Sequence, residues 1–192
     1  MRYAFFAERT AQKLPDVPKG TPVKDIKTAA VIGCGTMGGG IAMCFADAGI
    51  PVKVLEGSQE ALDRGMAKVR NNYEVSVKRG SLAADEMERR FARIEPVLDY
   101  AEIGNQDVVI EAVFEQMDVK QEVFRKLDET MKDGALILSN TSALDIDEIA
   151  SVTKRPQDIA GAHFFSPANV MKLLEVVKGS KSSGELSLIH IS

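Results

Sequence analysis

The chain has 192 residues, 45% of them apolar and 27% charged, an ordinary globular composition that supports one domain with appendages. Lys and Arg total 24 against 28 Asp and Glu, and the resulting charge of −4 argues against a dedicated nucleic-acid binder. Two cysteines, Cys34 and Cys44, and two histidines, His163 and His190, exclude a disulfide scaffold and a His-rich metal site. No apolar run reaches the ~18 residues of a membrane span, and the run Tyr3-Ala4-Phe5-Phe6-Ala7 is too short for a secretory signal. A cytoplasmic protein with free thiols is the simplest reading.

Residues 1–24 read as a lead-in, in which a helix over 1–14 is broken by Pro15, Pro18, Gly20 and Pro22. Residues 25–180 alternate between strand and helix patterns. Ala29-Ala30-Val31-Ile32 suits a strand buried on both faces. Ile41, Ala42, Phe45 and Ala48 follow at helical spacing, and Val52, Val54 and Leu55 mark a second strand. Leu62, Met66, Val69, Tyr73 and Val77 predict a long amphipathic helix. A smaller helix carries Met87, Phe91 and Ile94, with a strand expected over 96–100. A strand over 108–110 precedes a helix marked by Val119, Val123, Leu127 and Met131. A strand over 136–138, a short helix around Ile146 and Ile149, and strands over 159–164 and 173–177 complete the series. Such alternation predicts an α/β fold of the Rossmann type, a mostly parallel, doubly wound sheet with helices on both faces.

Residues 181–192 form a polar tail that does not fit the pattern. Its last seven residues, Leu186-Ser187-Leu188-Ile189-His190-Ile191-Ser192, are what the transposon end used in sequencing-library preparation encodes in frame. They are expected to be adapter read-through, and the natural protein is expected to continue beyond this chain.

Gly33-Cys34-Gly35-Thr36-Met37-Gly38 is a G-x-G-x-x-G between a predicted strand and a predicted helix. Gly33 permits the tight turn, Gly35 lets a pyrophosphate approach the backbone, and Gly38 lets helix and strand pack closely. The helix N-terminus, with Thr36 and Met37 in its first turn, offers N–H groups to phosphates. Glu56, 18 residues after Gly38, ends the second strand and can accept hydrogen bonds from ribose hydroxyls. It would repel a 2′-phosphate, so NAD is favoured over NADP. Gly39 and Gly40 read as helix-packing residues, Cys34 as a small filler and Cys44 as core.

Ser139-Asn140-Thr141-Ser142 follows the strand over 136–138, at the strand ends where ligands bind in an open parallel sheet; Thr141 or Ser142 could also cap the next helix. His163 ends another apolar strand, and Glu175 stands 12 residues later among Leu173, Leu174, Val176 and Val177. A carboxylate in an apolar strand is costly unless paired, and His163 is the economical partner. Such a pair would hold one imidazole tautomer and stabilise its protonated form.

These strings, with Glu111-Ala112-Val113-Phe114-Glu115, His163-Phe164-Phe165-Ser166-Pro167 and Met171-Lys172-Leu173-Leu174-Glu175, resemble the NAD-binding domain of the 3-hydroxyacyl-CoA dehydrogenases over residues 25–180. The lead-in Arg2-Tyr3-Ala4-Phe5-Phe6-Ala7-Glu8-Arg9 resembles the linker that follows the enoyl-CoA hydratase domain in multifunctional fatty-acid β-oxidation enzymes. Ser166, where single-function enzymes carry Asn, points the same way. The resemblance implies NAD-dependent oxidation of an L-3-hydroxyacyl-CoA to its 3-oxo form. It implies His163 as acid/base, Glu175 as its orienting partner and Ser142 on the substrate 3-oxygen and near the cofactor. Glu115, Lys120 and Ser166 would lie on the nicotinamide side, and Lys78 or Arg79 would reach the CoA phosphates. The family's catalytic Asn belongs to a helical domain beyond residue 192, so this chain is expected to be a cofactor-binding part that turns over poorly alone. Two rival readings are a binding-only fragment and a related 3-hydroxyacid dehydrogenase. The latter would use a lysine as acid/base, against which the set Ser142, His163 and Glu175 argues.

Overall fold

The computed structural model describes residue 21, residues 23–184 and Leu186. The helix expected over residues 1–14 lies outside the described residues, as do 187–192. Seven strands, β1 (Ala29–Ile32), β2 (Val52–Leu55), β3 (Ile94–Val97), β4 (Val108–Glu111), β5 (Leu136–Ser139), β6 (Ile159–Phe164) and β7 (Leu174–Lys178), form one sheet in the order β3-β2-β1-β4-β5-β6-β7. All neighbours run parallel except β7, which is antiparallel to β6. This is the Rossmann strand order with an antiparallel strand added, so the order reverses between β1 and β4. Helices α1 (Thr36–Asp47), α2 (Gln59–Lys78), α3 (Ala84–Phe91), α4 (Met117–Thr130) and α5 (Ile146–Ala150) cover the faces.

The short apolar runs form strands because each residue has a core to enter. Successive side chains point to opposite faces. Ala29, Val31, Val108, Ile110, Leu136 and Leu138 enter one apolar cluster with α1, α2 and α3. Ala30, Ile32, Val109 and Ile137 enter the other, with α4 and α5. Sealed on both sides, β1, β4 and β5 have every residue buried.

The clearest departures from the sequence expectation are the small helix and the strand that follows it. The small helix ends at Phe91, and Ile94 instead opens β3, paired with Val52 and buried. The strand expected over 96–100 is therefore shifted toward the N-terminus, and Tyr100 opens a 3-10 turn, Tyr100–Ile103. Pro96 is tolerated in β3 because this strand is the sheet edge. At the opposite edge, β7 is more exposed than its apolar sequence suggests. The tail is fastened: Ser180 N–H donates to Asp147 Oδ1 at 2.7 Å, Ser183 N–H to the Gln157 carbonyl at 2.9 Å, and Leu186 is buried in the first cluster.

Cys34 fills a notch over Gly65 of α2, where an added Cβ would come within 2.4 Å of its sulfur; burial pushes its thiol up to about 11. Cys44, expected in the core, is only partly buried; its Sγ donates to the Ala168 carbonyl at 3.4 Å on the side of α1 that this backbone covers. Gly39 faces Val69 of α2 and Gly40 faces Ala168, both close contacts.

Candidate active site

The carboxyl ends of β1, β2, β4, β5 and β6 converge on one edge of the sheet. At the end of β1, Gly33 has φ +93°, a left-handed conformation that glycine adopts without penalty. A Cβ at Gly38 would lie 1.8 Å from the Gly33 carbonyl oxygen, so only glycine lets α1 start this close to the strand. A Cβ at Gly35 would meet no protein atom within 4 Å, which leaves its backbone bare toward the crevice. Gly35 is the N-cap of α1, and no side chain caps this helix N-terminus. Glu56, just beyond β2, accepts from Cys34 N–H at 2.8 Å and from Gly57 N–H at 3.0 Å. Its carboxylate is thereby fixed at the turn, with lone pairs left for a ligand's hydroxyls. A cleft of about 630 Å³ opens here, lined by Gly33, Met37, Glu56, Tyr100, Val113 and Phe114.

A second cleft, about 600 Å³, lies on the other side of the α1 N-terminus, between α2 and the loop after β6. Lys68, Asn72, Val75 and Arg79 line it, four positions at helical spacing along one face. Thr36 and Asn169 face them. Of the two basic residues suggested for phosphate binding, Arg79 lines this cleft. Lys78 is exposed and does not line it, because its position points to another side of the helix.

The ends of β4 and β5 carry a polar cluster. Glu111 and Lys120 are fully buried, with Lys120 Nζ 2.7 and 3.0 Å from the two Glu111 oxygens. Glu111 also accepts from Ser139 Oγ at 2.7 Å and from Val113 N–H at 2.7 Å. The same ammonium stands 3.3 Å from Glu115 Oε2. Glu115 in turn accepts from Thr141 Oγ1 at 2.6 Å, Ser142 N–H at 2.7 Å and Ser142 Oγ at 3.2 Å. Burial alone would raise the Glu115 carboxyl; the hydrogen bonds from Thr141 and Ser142 and the Lys120 charge outweigh it and hold it down to about 2. The Lys120 side chain, expected on the nicotinamide side of the cofactor, has no exposed surface. It is held between two carboxylates, the buried Glu111 and Glu115, whose side chain is 40% exposed.

At the end of β6, His163 Nδ1 lies 2.9 Å from Glu175 Oε2. The antiparallel register sets the two residues directly opposite each other. Glu175 is 52% exposed, so the pair is not forced by burial of the carboxylate; strand register creates it. Asn140 Oδ1 accepts from Phe164 N–H at 3.0 Å and ties the exit of β5 to the end of β6. Ser142 and His163 thus lie on neighbouring strand exits joined through Asn140. Ser166 follows on the exposed loop after β6.

Several participants escaped the sequence reading. Lys68 and Asn72 share a helical face with Arg79, a signal the spacing contained. Glu111 ends an apolar strand, so the rule that a carboxylate there needs a partner applied to it better than to Glu175.

A crevice at the reversal of the strand order, a glycine turn and an acid ending β2 define a dinucleotide-binding dehydrogenase domain of the Rossmann fold. The model of the 3-hydroxyacyl-CoA dehydrogenase NAD-binding domain matches residues 28–188, and the chain belongs to that family. It is 44% identical over 190 residues to the peroxisomal bifunctional enzyme of Danio rerio, covering 96% of this chain and 26% of that protein. It is 41% identical over 161 residues to the fatty acid oxidation complex subunit alpha of a Psychrobacter species, covering 84% of this chain and 22% of that protein. The crystal structure of 3-hydroxybutyryl-CoA dehydrogenase from Escherichia coli superposes with a TM-score of 0.83 at 41% identity, over 85% of this chain and 35% of that one. The chain thus spans about a quarter of the length of these curated relatives. No helix among the described residues is long and apolar enough to cross a membrane. No group of three or more candidate metal ligands occurs among them.

Proposed function

We propose that the chain is the cofactor-binding part of an enzyme that oxidises L-3-hydroxyacyl-CoA to 3-oxoacyl-CoA in fatty-acid β-oxidation. The observation that carries this reading is the 2.9 Å contact between His163 and Glu175 on the same sheet edge as the glycine turn. Gly33, Gly35 and Gly38, with Thr36 and Met37, would hold the pyrophosphate, and Glu56 the adenosine ribose. When bound, NAD supplies the hydride acceptor. Glu175 accepts from His163 Nδ1–H and fixes that tautomer, leaving Nε2 as the base for the proton of the substrate 3-hydroxyl. Glu175 then balances the charge on the imidazolium. Ser142 Oγ hydrogen-bonds the 3-oxygen, and Glu115 and Ser166 line the redox end. Arg79 reaches the CoA phosphates across the second cleft.

The same reading makes this chain one part of a longer protein, with a hydratase domain before it and a helical domain after it that completes the acyl-CoA site. Val170, Met171 and Leu173, exposed at 65%, 46% and 54%, suit a face that such a domain covers. Residence in the cytoplasm belongs to the proposal; cell fractionation that places the protein in peroxisomes would overturn that part.

Two measurements test the function. Fluorescence titration is expected to show NADH bound more tightly than NADPH, and equal affinity would remove Glu56 from the ribose site. Steady-state oxidation of NADH with acetoacetyl-CoA is expected to be far slower for this chain than for a version extended through the helical domain. Equal kcat/KM would mean that residues 1–192 hold a complete active site.

A further inference from the structure

Among the described residues Glu111 is a carboxylate with no exposed surface, and neither the motif nor the proposed chemistry gives it a task. It lies at the last position of β4 with no exposed surface. Its side chain takes the Lys120 ammonium on both oxygens, the Ser139 hydroxyl and the Val113 N–H. Its own carbonyl accepts from Asn140 N–H at 2.7 Å. The residue therefore grips β5, the loop after β4 and the first turns of α4 together.

A buried ion pair is weak evidence for stability as such, because desolvation offsets most of the attraction. Its geometric consequence is clearer. The Lys120 stem rises from α4, and without Glu111 its ammonium would have one partner, the half-exposed Glu115. With Glu111 in place the ammonium is pinned 3.3 Å from Glu115 Oε2. That leaves Glu115 Oε1 for Thr141 Oγ1, Ser142 N–H and Ser142 Oγ. The chain of contacts runs from a sealed carboxylate to an exposed serine in three steps, each a charge-assisted bond.

We propose that Glu111 is a positioning residue. Acting through Lys120, it presets Glu115 and with it Ser142 in the geometry that receives the nicotinamide end of the cofactor and the substrate 3-oxygen. The proposal rests on the NAD reading for what Ser142 and Glu115 receive, but its structural half is independent of any ligand.

The test uses the whole chain, ligand-free and with NADH. The Ser142 amide proton reports its bond to a carboxylate through its NMR shift, which loss of global stability does not move while the native state is populated. Glu111→Gln and Lys120→Met are each expected to shift this resonance upfield and to weaken NADH binding about tenfold, the size of one charge-assisted hydrogen bond. Glu111→Gln added to Lys120→Met is expected to change neither quantity further, because both act along one route. Should Glu111→Gln not fold, Glu111→Met with Lys120→Met removes the pair without stranding a charge, and the same shift and loss are expected. A Ser142 resonance and NADH affinity at wild-type values in these variants, or full additivity in the double variant, would overturn the proposal. Failure of the wild-type chain to bind NADH sinks the cofactor reading alone, and the Ser142 resonance still decides the role of Glu111.

Discussion

Two carboxylate–base pairs stand at the exits of β4 and β6, on either side of β5, and differ in one respect, access to water. Glu111 and Lys120 are sealed, whereas His163 and Glu175 are 24% and 52% exposed on their side chains. A sealed pair cannot trade protons with a substrate, so it serves geometry. An open pair beside a crevice can take up and release a proton while its carboxylate keeps the ring oriented. The same chemical motif is thus suited to two different jobs, and burial separates them.

Splitting each pair should sharpen this contrast. Lys120→Met strands the buried Glu111 carboxylate and is expected to cost about 3–5 kcal/mol of stability, read by urea denaturation. A loss below about 1 kcal/mol would mean that water enters the site and the pair is not sealed. His163→Gln, in the protein extended through the helical domain, is expected to lower kcat by about 10²–10⁴-fold while NADH affinity stays near wild type. A drop of less than about tenfold would make the histidine structural. Glu175→Gln should change stability by no more than about 1 kcal/mol, as an exposed pair does. It should still slow the same enzyme by releasing the imidazole from its fixed tautomer. A large loss of stability would erase the distinction between the pairs.

A further test is a pH dependence at Glu115, which joins Lys120 of the sealed pair to Thr141 and Ser142. Its carboxyl falls from 4.5 when unfolded to about 2 when folded. A lowered pKa stabilises the fold above the unfolded value, so this contribution is complete above pH 4.5 and is lost as pH falls toward 2. Acid denaturation of Glu115→Gln should be less steep across that window than that of the wild type. Identical slopes would detach Glu115 from Thr141, Ser142 and Lys120.

The sheet was readable from the sequence because β1, β4 and β5 are buried on both faces and appear as unbroken apolar runs. β3 was displaced because Met87, Phe91 and Ile94 keep helical spacing although the helix stops at Phe91; only pairing with Val52 decides where Ile94 belongs. The glycine turn was readable because each glycine answers a local demand, the left-handed φ at Gly33 or the close approach at Gly38. The Glu111–Lys120 link joins a strand end to a helix: the apolar run before Glu111 asks for a partner, but nothing in the sequence names Lys120 as that partner. Glu175 was found on an argument from burial that its exposure does not support. The pairing came from the register of β7, which sequence does not display.

That register has a gauge of its own. Gly161, on β6, lies opposite Val177, and a Cβ there would come within 3.0 Å of Val177 Cβ and of Ile146 Cδ1. β7 is too exposed for buried side chains alone to index it, and a slip of one residue would turn every side chain to the other face. The fit of Val177 over a glycine selects the alignment in which Glu175 meets His163. Inheritance of the His163–Glu175 contact is therefore tied to two small hydrocarbon groups nearer the opposite end of the hairpin. A lineage that enlarged residue 161 would first have to open space against Val177 and Ile146 to keep β7 in this alignment.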